Sequence, residues 1–245
     1  FFFLHHLDHS FYHLFHYMNL MILKTLIMNK KIYYISGAIT TLAFLILALF
    51  VKIDFTHGPF PFDRPIQTWA FHLHSSSGLT YFFSHMTNIF GDKGGIIVAA
   101  LLALVLYLLF KQKEATIWFA ATVVLSLALN TVIKVIIGRE RPDIHRLAAF
   151  ANEAGKSFPS GHSIFATIIF GSIFFICLGK LKNRSSKILL GILCIILIAL
   201  VMFSRIFVGV HYPSDTIGGF LEGISILLLT YPTYIKYQEK SKKTN

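Results

Sequence analysis

Three short segments in the second half of the chain hold residues of the types that handle phosphate. They are Lys134-Val-Ile-Ile-Gly-Arg-Glu-Arg141-Pro142, Pro159-Ser160-Gly161-His162, and Ser204-Arg205-Ile-Phe-Val-Gly-Val-His211-Tyr-Pro-Ser-Asp215. Arg141 and Arg205 can each make planar, two-pronged contacts to phosphate oxygens, and Lys134 adds a point charge. Ser160 and Gly161 sit just before an apolar run, where the free amides and dipole of a helix start favour an anion, and the Ser160 hydroxyl is a further donor. Asp215 follows His211 by four residues, and a carboxylate on one ring nitrogen fixes the tautomer and raises the basicity of the other. His211, read as a surface-facing imidazole, is therefore the candidate nucleophile, Asp215 its orienting group, and His162 the general acid for the departing oxygen. Together these residues can grip a tetrahedral dianion and attack it at phosphorus.

Taken singly, each residue has a plainer role. An interfacial Arg or Lys is commonly a snorkelling anchor, and a His or Asp at a helix end is commonly a cap. The functional reading rests on the three segments occurring together, in order and at helix ends that share one membrane face.

The elements that must position these segments are membrane helices. Apolar residues make up 55% of the 245 and charged residues 13%, with a mean hydropathy of +0.67. Soluble domains are about 45–50% apolar and about 25% charged. Six apolar runs are long enough to cross a hydrocarbon core as helices, near 33–52, 94–110, 116–137, 162–179, 188–208 and 215–235. The expected fold is thus all-α, a six-transmembrane-helix bundle. The mixed stretch Lys52–Lys93, with Trp69, Phe71, Tyr81, Phe82 and Phe83, predicts a short helical segment lying in the interface between spans one and two.

The formal charge of +11 does not point to nucleic acid, because the basic residues form short clusters between apolar runs. Thirteen of the 22 Lys and Arg fall before span one, between spans two and three, between spans four and five, and in the tail. The positive-inside bias places all four clusters, and both termini, in the cytoplasm. The three segments then meet outside, on the side where basic residues are normally scarce. Binding an anion is a sufficient reason for Lys134, Arg141 and Arg205 to be there.

The three segments match, without a departure, the tripartite signature Lys-x6-Arg-Pro, Pro-Ser-Gly-His and Ser-Arg-x5-His-x3-Asp. On them the chain resembles the type 2 phosphatidic acid phosphatase superfamily, and is most similar to its bacterial membrane members that act on phosphatidylglycerophosphate or undecaprenyl diphosphate. The resemblance implies a metal-independent, cofactor-free phosphatase of a membrane lipid phosphate or diphosphate, working from the extracytoplasmic face through a phosphohistidine. It implies phosphate binding by Lys134, Arg141, Ser160, Gly161 and Arg205, with His211 as nucleophile, Asp215 orienting it and His162 as acid. A non-catalytic lipid-phosphate binding or transport protein is the alternative from another class.

The remaining features are weaker. Residues 1–27, rich in Phe and His, are expected to lie outside the domain as an extension, leaving 28–245 as the six-span unit; their irregular His spacing does not suggest a metal site. Cys177 and Cys194 lie in apolar runs and suggest no disulfide or metal pair. Arg139 and Arg146 can either hold a second phosphate or pair with Glu140 and Asp143, which leans the substrate slightly toward a diphosphate. Undecaprenyl diphosphate, phosphatidylglycerophosphate and phosphatidic acid all remain open. Size and Lys-rich clusters suggest a bacterial plasma membrane; oligomeric state is unspecified.

Overall fold

The computed structural model describes residues 29–244, and the expected extension 1–27 lies outside them. All regular structure among the described residues is helical. Among the described residues eight α-helices follow one another: α1 Lys30–Asp54, α2 Asp63–His72, α3 Ser77–Ile89, α4 Asp92–Leu108, α5 Lys113–Ile137, α6 Gly161–Leu178, α7 Arg184–Phe207 and α8 Pro213–Thr244.

Four of them, α1, α5, α6 and α7, are long and apolar enough to cross a membrane. The α3–α4 pair, bent by 62°, supplies a fifth if counted as one span. The last apolar run lies inside α8, which is 32 residues long but carries Glu222, Pro232 and three glycines in its apolar part. The stretch expected to hold one short interfacial helix forms two, α2 and α3, joined by a 3-10 turn at Leu73–Ser75. Trp69, Phe71, Tyr81 and Phe82 stay exposed on them, whereas Phe83 is buried against Phe207. Exposed aromatics of that sort suit an interfacial position.

α6 is the central helix. In its apolar stretch 72% of residues are buried, against 17–22% in the other three. A helix apolar on all sides belongs in the middle of a bundle, surrounded by partners that leave one face to lipid. α8 is the second axis of the fold, packing on α1, α5 and α6. Small residues bring it close: an added methyl at Gly223 would meet Thr167, one at Gly219 the Ser160 carbonyl and Ser163, and one at Gly37 the side chain of Leu229. Close backbone approach through glycines replaces the hydrophobic driving force that lipid does not supply. At one end of the bundle an aromatic cluster of Tyr33, Trp118, Phe175, Tyr231 and Tyr234 fills the core, with centroids 4.6–6.1 Å apart. The phosphate-type residues lie at the other end.

Candidate active site

Four helix ends build the site. Lys134 is in the last turn of α5, which Gly138 terminates in the left-handed conformation at φ 71°. Only a residue without a Cβ adopts that cap without strain, and it turns the chain so that Arg139 and Arg141 point back over the bundle. His162 opens α6, Arg205 closes α7, and Pro213 opens α8 in the first-turn position that suits proline. Asp215, in the same turn, accepts from the Tyr212 amide at 2.8 Å and so caps α8 while facing His211. Gly209, at φ 79°, lies so near the His145 and Arg146 backbone that a methyl there would sit 2.4 Å from the His145 carbonyl. That contact pins the loop between the first two segments to the third.

The segments enclose a cavity of about 310 Å³ lined by Lys134, Arg141, Gly161, His162, Arg205 and His211, together with Asn130, Glu153, Gly155 and Lys156. Six of the eight residues expected from sequence thus share one cavity. His211 is 1% exposed, so the imidazole is buried in the cavity wall and is not surface-facing. Its Nε2 lies 3.1 Å from Arg141 Nη1, and its Nδ1 lies 3.4 Å from Asp215 Oδ2 and 3.3 Å from Ser157 Oγ. A guanidinium only donates, so Nε2 must accept and the ring proton belongs on Nδ1. The tautomer with its lone pair toward the cavity is the one a nucleophile needs. Burial, then Arg141, Arg205, Lys134 and Arg139, hold His211 well below the ordinary imidazole value, which keeps it neutral.

Asp215 and Ser160 are behind the wall. Asp215 is fully buried; Oδ1 accepts from Arg139 at 2.6 Å, while Oδ2 accepts from the Tyr212 amide and the Ser157 hydroxyl. The Ser160 amide, expected to face a ligand, donates instead to the Asp215 carbonyl at 3.0 Å, because the close α6–α8 packing puts these backbones in contact. Its hydroxyl is buried with no hydrogen-bond partner among the described residues. Gly161 does line the cavity, at the first turn of α6.

Arg139 has neither of the roles considered for it. It is fully buried and paired with Asp63 at 3.2 Å and Asp215 at 2.6 Å, with the Tyr212 ring 4.1 Å from its guanidinium carbon. Glu140 lies beside His57 instead, and Arg146 donates to the Pro142 and Ala151 carbonyls. Arg139 is unavailable to a second phosphate, which removes half of the basis for leaning toward a diphosphate.

Several residues of the site have no motif to announce them. Ser157 bridges His211 and Asp215. Glu153 pairs with Arg205 and lies 4.0 Å from Arg141, and Thr87 accepts from Arg205 at 2.7 Å. Asp63 reaches the site from α2. Ser157 sits three residues before Ser160, but an isolated serine in a loop carries no periodic or spacing signal.

Over 102 residues the chain is 36% identical to phosphatidylglycerophosphatase B of Bacillus subtilis, covering 41% of this chain and 49% of that one. It is 29% identical over 162 residues to undecaprenyl-diphosphatase BcrC of the same organism, covering 63% and 78%. The chain therefore spans about half the length of the first of these relatives. The crystal structure of a transmembrane PAP2 type phosphatidylglycerolphosphate phosphatase from Bacillus subtilis superposes with a TM-score of 0.67 at 25% identity, over 83% of this chain and 96% of that one. The profile of the PAP2 superfamily matches residues 115–239, which hold all three segments, and the chain belongs to that superfamily.

Proposed function

We propose that residues 28–245 form a metal-independent phosphatase acting on a lipid phosphate or diphosphate, with phosphatidylglycerophosphate, phosphatidic acid and undecaprenyl diphosphate as the substrate class. The observation that carries this reading is a neutral, buried imidazole whose acceptor nitrogen faces a cavity lined by Lys134, Arg141 and Arg205, with His162 on the same wall. Phosphoryl transfer needs little from a protein beyond a nucleophile, an acid and charge stabilisation, and the three cations can supply the last without a metal.

A phosphate entering the cavity takes over the donation that Arg141 makes to Nε2. Nε2 then attacks phosphorus; the N–P bond forms as the bond to the ester or anhydride oxygen breaks. His162, carrying a second proton once the dianion is bound beside it, gives that proton to the oxygen and is left neutral. In the second half, His162 takes a proton from water, whose oxygen attacks phosphorus, and the N–P bond breaks to release inorganic phosphate and free His211. Asp215, with Ser157, holds the Nδ1 proton throughout.

The chain is a multi-pass membrane protein in this reading, with six crossings, both termini cytoplasmic and the cavity at the outer face of a bacterial plasma membrane. The α8 crossing is supported by its length and by its burial against three neighbouring helices. The acyl or prenyl chain stays in lipid while the phosphate reaches Lys134 and His162. Burial worth ~0.8 kcal/mol per CH2 then need not be reversed during turnover.

The test is release of inorganic phosphate by purified protein in detergent micelles, with the three lipids at matched surface concentration and with EDTA present. Release from at least one lipid, undiminished by chelator and blocked by vanadate, is expected. No release from any of them, or loss in chelator that added metal restores, refutes the proposal.

A further inference from the structure

Asp63 is the one carboxylate in contact with the site's ion pairs that comes from α2, ahead of the residues matched by the superfamily profile. It is 0% exposed, at the first turn of a helix that leaves Phe62, Ile66 and Trp69 exposed. Its Oδ1 accepts from the Ser214 amide at 2.8 Å. Its Oδ2 accepts from the Ser214 hydroxyl at 2.7 Å, the Phe60 amide at 2.8 Å and Arg139 Nη2 at 3.2 Å. The other arm of the same guanidinium, Nη1, holds Asp215 Oδ1 at 2.6 Å. Arg139 thus stands between two buried carboxylates, and a buried charge held this way must be fully partnered.

We propose that Asp63 is a positioning residue for Asp215, acting through Arg139 and Ser214. By taking half of the Arg139 charge it leaves Asp215 with surplus negative charge directed at His211 Nδ1. Without Asp63, Arg139 neutralises Asp215 alone, and the imidazole loses the support that makes Nε2 basic. The effect matters because the cations around His211 oppose that support: Arg141, Arg205, Lys134 and Arg139, with Lys156 on the same cavity and His162 when protonated, whereas Glu153, the carboxylate that also lines the cavity, is taken up by Arg205. Ser214 reinforces the geometry, since its amide and hydroxyl tie the first turn of α8, and so Asp215, to the first turn of α2.

This rests on the phosphatase reading above, and the experiment separates the two. Asp63→Asn keeps three of the four contacts by placing its oxygen at the Oδ2 position, and loses mainly the charge. The measurement is kcat, KM and the acid limb of the kcat–pH profile for wild type, Asp63→Asn, Asp215→Asn and the double variant, per mole of folded protein. Asp63→Asn should lower kcat about ten- to a hundredfold, a fraction of the effect of losing an orienting carboxylate outright. KM should change by less than about threefold, because phosphate is held elsewhere. The acid limb should move to lower pH. In the Asp215→Asn background the same change should cost less than about threefold, since residues acting through one group are non-additive. An unchanged kcat, or the same loss in both backgrounds, overturns the proposal. Should Asp63→Asn fail to fold, Asp63→Glu keeps the charge while displacing it; it should also lower kcat non-additively with Asp215→Asn, and additivity there overturns the proposal equally. A wild-type protein that releases no phosphate refutes the function instead.

Discussion

Substituting Gly219 by Ala tests whether the α6–α8 contact sets the geometry of catalysis. A methyl at Gly219 would stand 2.5 Å from the Ser160 carbonyl oxygen and 2.8 Å from Ser163 Cβ. Ordinary contact begins near 3.4 Å, so the helices must part by about 0.9 Å at this point. Ser160 is backbone and cannot rotate away. Overpacking of this kind costs about 1–3 kcal/mol. The kinetic consequence is larger than the structural one: Ser160 leads into His162 on α6, whereas Gly219 follows Asp215 by one turn on α8. Parting these backbones separates the acid from the nucleophile and strains the bond from the Ser160 amide to the Asp215 carbonyl. A misplacement of about 1 Å is worth roughly 10²-fold in rate.

Two other glycines, Gly171 within α6 and Gly179 capping its C-terminal end, serve as calibration. At Gly171 the methyl would meet Leu227 Cδ1 at 2.4 Å, the far end of a side chain that can change rotamer, so Gly171→Ala should lose under about tenfold in kcat. At Gly179 nothing lies within 4 Å, and its φ of −75° suits any residue. Gly179→Ala should leave kcat unchanged and hold or slightly raise thermal stability. The assay is phosphate release from phosphatidic acid micelles, with melting temperature measured in the same detergent. The order Gly179, Gly171, Gly219 in severity is the expected result; equal kcat for the Gly219 and Gly179 variants would show that the helix contact does not govern the site.

His211→Ala should abolish turnover; because the ring is 1% exposed, some loss of melting temperature should accompany it, and phosphate release above background would remove His211 as nucleophile. Asp215→Asn should lower kcat by up to roughly 10⁴-fold, the scale for neutralising an orienting carboxylate, and should also lower stability, since an amide nitrogen must face either Arg139 or the Tyr212 amide. For pH, the sign follows from His211 titrating in the folded protein well below the ordinary value of 6.5. The unfolded chain binds the extra proton first, so this contribution to stability is intact above pH 6.5 and is lost as pH falls below it toward the folded value, and the acid limb of kcat/KM, which reports the free enzyme, should likewise lie below 6.5. A limb at or above 6.5 would count against a neutral His211 as the attacking group. A cysteine at Ala151 should react with an impermeant maleimide in intact cells and one at Ser185 only after permeabilisation; both positions are exposed, and the reverse pattern would move the chemistry to the cytoplasmic leaflet.

The helices carrying the three segments were legible because long apolar runs bounded by charge leave little choice of structure. The expected spans 116–137, 162–179 and 188–208 meet the observed helices within four residues at each end. Helix ends at one face then made Lys134, Arg141, His162, Arg205 and His211 neighbours before any coordinates were needed. The stretch between α1 and α4 was less legible: aromatic residues announce an interface but not where a helix breaks, and the turn at Leu73–Ser75 divides it in two. Ser157, Glu153 and Asp63 were not legible at all. Each is a single polar residue in or beside a loop, and the partners that bring it to the site, Arg205 for Glu153, His211 and Asp215 for Ser157, Arg139 and Ser214 for Asp63, are 52 or more residues away. Pairing at that range is a property of packing, not of spacing.

Arg139 shows most clearly why types and spacing alone mislead. In sequence it is one more cation in a cationic segment, two residues from Arg141. In the fold the two point to opposite sides of the same wall. Arg141 collars the cavity from the Ala154, Gly155 and Val210 carbonyls, and Arg139 lies behind it among Asp63, Asp215 and Ser214. Lys134, Arg141 and Arg205 line the cavity meant for a dianion, while the Asp215 carboxylate is buried behind its wall. Arg139 fixes Asp215 in place from behind, and a buried guanidinium that lost this carboxylate would be short of one partner, at a cost of several kcal/mol. Asp63 keeps the same guanidinium from cancelling Asp215 outright. The phosphate-binding charge and the orienting charge are thereby held on two faces of one layer of side chains, with His211 between them.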